Sequence, residues 1–218
     1  FWTTAVAAPR PGGWTVELDG RPLRTPAGAA FLAPSRALAQ AAAAEWDAQT
    51  DRPDPSAMPL TRAVNTALDR VTAQHAAVAA EIAGYAGSDL LCYRAPHPEE
   101  LARRQAEAWD PILAWAEKRW SVKFLRVEGV MHAPQPEATL SVFSAEVAAR
   151  DAFALTALSD LVTLSGSLLL ALATAERELA PDDAWSRSRL DEDWQIEQWG
   201  EDAEAAAAAA ARRGAFLS

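Results

Sequence analysis

The spacing of apolar residues along the chain is short at first and lengthens near residue 35. In "GWTVELDGRPLRTPAGAAFLAPS", Trp14, Val16 and Leu18 alternate with Thr15, Glu17 and Asp19, the two-residue period of a half-buried strand. Asp19-Gly20 predicts a hairpin turn, since both residue types tolerate positive φ. Pro22 confines the following strand to a sheet edge. "FWTTAVAA" upstream and "AFLA" downstream predict two further short strands.

Helical spacing then takes over. Ser35 is placed to cap "RALAQAAAAEWDAQ", and "TDRPDPSAMP" is a proline-rich break. Thr61 is placed to cap a long helix in which Val64, Leu68, Val71, His75, Val78 and Ile82 recur at spacings of three and four, one apolar stripe. A second helical pattern runs from Pro98 to Trp120. Asp110-Pro111 predicts that one helix stops there and another starts, with Asp110 as N-cap and Pro111 at the first helical position. "SVKFLRVEG" predicts a strand. Beyond Ser144 the pattern is helical, punctuated by Gly166 and Pro181, and the Ala205–Ala211 run is expected to be helix. No internal repeat is found. The fold class is therefore α+β: a small β-rich N-terminal domain, residues 1–57, followed by a larger helical C-terminal domain, residues 58–218.

Composition narrows the function classes. Across 218 residues the formal net charge is −10, which argues against nucleic acid and anionic membrane surfaces as partners. Cys92 is the only cysteine, so an internal disulfide and a cysteine zinc cluster are excluded. The longest apolar run, Leu161–Ala175, falls short of the ~20 residues of a bilayer span and reads as core. The Ala-, Arg- and Trp-rich composition suggests a GC-rich bacterial source.

Candidate chemistry is sparse. No Gly-rich phosphate loop of either common pattern is present. His75, His97 and His132 are scattered; His75 lies in the apolar stripe and reads as a core histidine, His97 as a loop residue. Ser165 and Ser167 lack the nucleophile-elbow context, and Cys92 reads as packing. The exception is "RLDEDWQIEQWGEDAEAAAAAAARR", Arg189–Arg213, which carries seven carboxylates and two tryptophans. Read as one helix, it puts Leu190, Asp193, Trp194, Glu197, Glu201 and Glu204 on one side. Ile196, Trp199, Ala203 and Ala207 fall on another, with Trp199 and Ile196 as core anchors. Trp194 is either an exposed aromatic or a core one. Paired carboxylates can serve a glycosidase-type hydrolase, whereas like charges at this spacing on an exposed helix want water or a basic partner. A helical ligand-binding or scaffold protein stays open as well.

Seven stretches, "LDGRPLRTP", "ALAQAAAAEWDAQ", "MPLTRAVNTALDRV", "YAGSDLLCYRA", "RQAEAWDPILAWA", "LSGSLLLALA" and "SRLDEDWQIEQWGEDAEA", resemble in order and spacing the family of F1-ATPase assembly chaperones. The resemblance runs over nearly the whole chain. It implies a chaperone that is not an enzyme and needs no cofactor. It also implies a β-rich part followed by a helical part, and one partner: the free alpha subunit of ATP synthase, held before it pairs with beta. A cytoplasmic monomer is expected, the mitochondrial matrix being the site in eukaryotic relatives. An acid in the C-terminal helix is implied to matter; Glu201, then Glu197 and Asp202, are the candidate contacts, with Trp194 as the aromatic beside them.

Overall fold

The computed structural model describes residues 2–50 and 52–218. Phe1, in the first expected strand, and Asp51, in the expected proline-rich break, lie outside the described residues. A small strand region precedes a larger helical part, as the α+β pattern predicts. By its internal contacts the chain forms two compact units. One is Phe1–His75 with Asp151–Ala157 and Ser218; the other is Ala76–Arg150 with Leu158–Leu217.

In the first unit, β1 (Ala5–Arg10), β2 (Gly13–Leu18) and β3 (Arg21–Pro22) form an antiparallel sheet in that order. Asp19 (φ 49°) and Gly20 (φ 78°) turn the second hairpin, two left-handed positions filled by the residue types that accept them. Pro22 sits on the edge strand, as expected. The expected strand "AFLA" is reduced to isolated bridges, Trp14 to Ala33 and Arg24 to Ala30. Val16, Phe31 and Ala33 pack on Ala39, Ala42 and Ala43 of α1 (Arg36–Asp47), and the Ser35 side chain caps that helix through the Leu38 N–H at 3.2 Å.

Thr61 does not cap the next helix. α2 spans Pro59–Thr66, starting two residues before Thr61, and Met58 at its N-cap makes no side-chain bond. The Glu45 carboxylate on α1 accepts the N–H groups of Leu60 (2.7 Å) and Thr61 (2.8 Å), a cap supplied from another helix. The expected long helix is also interrupted. Ala67–Val71 is π-helical because Thr72 donates its N–H (3.0 Å) and its hydroxyl (2.8 Å) to the Ala67 carbonyl. α3 then runs His75–Gly84. Val64, Val71 and Ile82 of the stripe remain buried.

The second unit is built on α4, Glu99–Trp120, which passes unbroken through Pro111. The helix break expected at Asp110-Pro111 is therefore corrected. An interior proline costs ~3 kcal/mol, but Trp109, Ile112 and Leu113 are all buried on the two sides of it, each contributing about 1.5–3 kcal/mol by its burial. Asp110 caps nothing and instead accepts from Arg94 (2.7 Å) and Arg126 (3.3 Å). "SVKFLRVEG" gives only β5 (Val127–Glu128), pairing in parallel with β4 (Tyr93–Arg94). The remaining helices are α5 (Glu137–Ala148), α6 (Ala152–Ser165), α7 (Leu168–Ala175), α8 (Pro181–Ser188), α9 (Leu190–Trp199) and α10 (Ala203–Leu217).

α7 is the centre of this unit, with every residue from Leu168 to Ala173 fully buried. Its first turn meets Asp89, itself fully buried, which accepts from the Ser167 hydroxyl (2.7 Å) and from the Leu169 (3.0 Å) and Leu91 (3.0 Å) N–H groups. Burial pushes the Asp89 carboxyl up to about 6, although the Leu169, Leu91 and Ser167 bonds favour its ionised form. Burial, and the Asp89 charge, likewise push the Cys92 thiol up to about 12, so it is an inert packing residue at neutral pH.

A folded-state pKa above the ordinary 3.8 means that Asp89 holds its proton more tightly in the native protein. Its contribution to stability is then greatest below about pH 4 and declines as pH rises to about 6, by roughly 3 kcal/mol. Chemical denaturation of wild type and Asp89→Asn from pH 4 to 7 should show the wild type losing ground to the variant over that window. A difference between the two that stays constant with pH would contradict it.

Candidate functional site

The carboxylate-rich segment is not one helix. α9 ends at Trp199, and Gly200 adopts φ 89°, ψ 166°, a conformation open essentially to glycine alone. Asp202 then starts α10: its side chain accepts the Ala205 N–H (2.8 Å) and its carbonyl the Ala206 N–H (2.9 Å). A single helical projection therefore loses its phase at Gly200.

This break separates the four candidate residues. Asp202 is an N-cap. Glu201 is exposed in the turn and has no hydrogen-bond or ion-pair partner among the described residues. Glu197 lies on α9 and accepts two bonds from Arg104 of α4, at 3.0 and 2.8 Å. Trp194 is half-buried, with the Arg104 guanidinium 4.7 Å from its ring centre. Arg104 also donates to Glu100 at 3.2 Å. The structure thus groups Glu197 and Trp194 around one arginine, and Glu201 and Asp202 in the turn beyond.

Two core anchors expected in the segment are corrected. Trp199 is 79% exposed and Ile196 is only half-buried. Polar bonds, rather than apolar burial, choose the face of α9 that docks. Gln105 of α4 donates to Asp191 at 2.7 Å, and Arg104 holds Trp194 and Glu197. These positions, 191, 194 and 197, form the stripe facing α4, so Trp199 is left on the outside. α8 is fastened to the same helix through the Trp109 indole N–H to the Arg187 carbonyl at 2.9 Å.

α10 returns along α8. Phe216, 4% exposed, packs 5.6 Å from the Trp185 ring, Arg213 pairs with Asp182, and Arg212 donates to the Leu164 carbonyl at 3.1 Å. Between these anchors the alanine run is exposed apart from Ala206 and Ala209, which are half-buried. A groove of ≈ 340 Å³ opens between α8, α9 and α10, lined by Trp185, Arg189, Asp193, Ile196, Glu201 and Ala206 among others. From Pro181 to Arg213 the sequence holds nine acids against four arginines. Such a surface suits a charge-complementary contact. Among the described residues there is no group of three or more potential metal ligands, and no helix long and apolar enough to cross a membrane.

The family model described as the ATP12 chaperone protein matches residues 1–117. The chain belongs to the ATP12 chaperone family. This is the F1-ATPase assembly chaperone family that the sequence motifs resemble, and an assembly-chaperone role follows from it. The family match stops before the acidic turn, but the structural likeness does not. The crystal structure of Atp12 from Paracoccus denitrificans is 47% identical, with 100% of this chain and 93% of that chain covered at a TM-score of 0.95. An aspartate-to-lysine variant of the same protein is 46% identical over the same shares, also at 0.95. The Atu1473 protein of Agrobacterium tumefaciens is 45% identical, covering 100% and 83%, at 0.94. The likeness to these structures thus extends over the segment that holds the α9–α10 break.

Two glycines test the geometry. Gly200→Ala should cost about 1–3 kcal/mol, because an L side chain is strained at that φ and ψ. Gly214, inside α10 with open space where a Cβ would lie, should behave oppositely: Gly214→Ala should stabilise by up to about 1 kcal/mol. Hydrogen exchange across Ala203–Leu217 should accelerate in the first variant and slow in the second. Equal protection in both would contradict the break at Gly200.

Proposed function

We propose that this ATP12-family chaperone binds the free alpha subunit of F1-ATPase before it pairs with beta, and that the acidic turn at Glu201 is part of the grip. The observation that carries the reading is Glu201 itself. It is an exposed carboxylate without an internal partner among the described residues, lining the groove between α8, α9 and α10 in a member of an assembly-chaperone family.

Subunits of an obligate complex expose apolar surface when alone, and such surface aggregates. A chaperone must cover it and later release it. Aromatic contacts supply area, while exposed charges supply steering and a bond that salt weakens. Trp199 and Trp194 offer the first and Glu201 the second. Glu197 serves the grip indirectly, since Arg104 already neutralises it. Asp202 contributes by starting α10 and fixing where Glu201 points. The role is binding without catalysis: the carboxylates at this site are occupied by an arginine, a helix cap or solvent, and no phosphate-binding loop exists in the sequence.

Glu201→Gln separates the contact from the fold. The change keeps size and helix propensity, so stability should move by less than about 0.5 kcal/mol. Affinity for isolated alpha subunit should fall roughly tenfold or more, as for a lost charge-assisted bond. Glu201→Lys should be worse, and added salt should weaken the wild type more than the Gln variant. Asp202→Ala is a poor substitute, because losing the cap alone costs about 1 kcal/mol. Calorimetric titration with alpha subunit, alongside melting of the same samples, decides; an unchanged affinity in Glu201→Gln removes the acidic turn from the grip. ATP titrated into the chaperone alone should give neither micromolar binding nor hydrolysis.

A further inference from the structure

Of the 15 residues of α10 only Phe216 is buried. The anchors of the helix lie together at its far end: Phe216 on the Trp185 ring, Arg213 on Asp182, and Arg212 on the Leu164 carbonyl. Its middle presents Ala205, Ala206, Ala209 and Ala210 to the groove, and a methyl group gives little hold on a neighbouring helix. At the near end stands Gly200, at a φ and ψ open essentially to glycine, followed by exposed Glu201 and Asp202. A helix fastened at one end, joined through glycine at the other and lightly held between has the build of a hinged arm.

Local propensity agrees with that build. Alanine is the strongest helix former, and the Asp202 side chain caps the first turn through the Ala205 N–H at 2.8 Å. α10 therefore needs little from its neighbours to stay helical. The clasp is also light. Arg213–Asp182 is an exposed ion pair, of a kind that contributes little, so the Phe216–Trp185 contact carries most of it. α9 is held differently, along its length, by Gln105 at Asp191 and by Arg104 at Trp194 and Glu197. Motion about Gly200 is thus confined to α10.

We propose that α10 is an arm hinged at Gly200 and clasped through Phe216, and that its lifting widens the groove and uncovers the Trp185 ring for apolar surface of the client. The inference rests on the client reading above and adds the step that admits the client. Trp185 lines the groove but is only 6% exposed, because Phe216 packs against it. A ring covered until a client arrives leaves no standing apolar patch to aggregate. Lifting α10 moves one wall of the groove, while α8 and α9 keep the other two in place.

Nitroxide labels on Asp183→Cys in α8 and Ala208→Cys in α10 follow the arm by pulsed electron paramagnetic resonance. Both sites are exposed, and buried Cys92 stays unlabelled. In the chaperone alone, Phe216→Ala should raise the population at longer label distance at least tenfold, the scale of a lost buried aromatic contact, with far-UV circular dichroism unchanged. Arg213→Glu, which sets like charge against Asp182 at the surface, should shift the distances the same way. Labels on Asp183→Cys and Gln198→Cys, from α8 to α9, should not move in either variant. Isolated alpha subunit should lengthen the Asp183–Ala208 distance in the otherwise wild-type chain. The proposal is overturned if neither clasp variant lengthens that distance, if the α8–α9 pair lengthens with it, or if helix content falls instead. Alpha subunit that binds without changing the distance also overturns it and leaves the client reading standing. Alpha subunit that does not bind at all overturns both.

Discussion

The helical unit depends on one buried carboxylate. Asp89 closes the first turn of α7, in which every residue from Leu168 to Ala173 is without solvent contact. A helix whose first six residues are all buried still begins with unpaired N–H groups, and water cannot reach them. Asp89 and Ser167 satisfy them, at the desolvation cost that pushes the Asp89 carboxyl upward. This joins two motifs far apart in sequence, "YAGSDLLCYRA" and "LSGSLLLALA": the first supplies the acid, and the second supplies the serine and the helix it caps.

The proposed contact surface is built outward from α4. α4 carries Arg104, Gln105 and, one turn further on, Trp109, and these hold α9 and α8 through Glu197, Asp191 and the Arg187 carbonyl. Most of the carboxylates in the acidic segment thus have internal employment. Exposed ion pairs such as Arg104–Glu197 contribute little stability; their effect is to fix the orientation of α9. With that orientation fixed, Trp199 and Glu201 are both presented outward, one apolar and one charged, on either side of Gly200.

Local signals were legible in the sequence and tertiary ones were not. The Asp19-Gly20 turn and the Ser35 cap involve residues a few positions apart, and both stand as read. The Thr61 cap failed because α2 starts two residues earlier, at Pro59, with its Leu60 and Thr61 N–H groups held by Glu45 on a different helix. The break at Asp110-Pro111 failed because Trp109, Ile112 and Leu113 hold α4 together across it. At the site, Arg104 was invisible because it lies 93 residues from Glu197. Gly200 was different. "WGED" places a glycine after a helical run and a capping aspartate two residues on, the stop-and-start signature of two helices. Reading the segment as one continuous helix passed over that signal and put Trp199 in the core.

The central claim is that this chaperone holds a subunit only while it is unassembled. Sedimentation of the purified protein with isolated alpha subunit and with intact F1 complex, at equal alpha-subunit concentration, tests it most directly. The account predicts co-sedimentation with the free subunit, with suppression of its aggregation, and little or none with the assembled complex. Equal binding to both would contradict it.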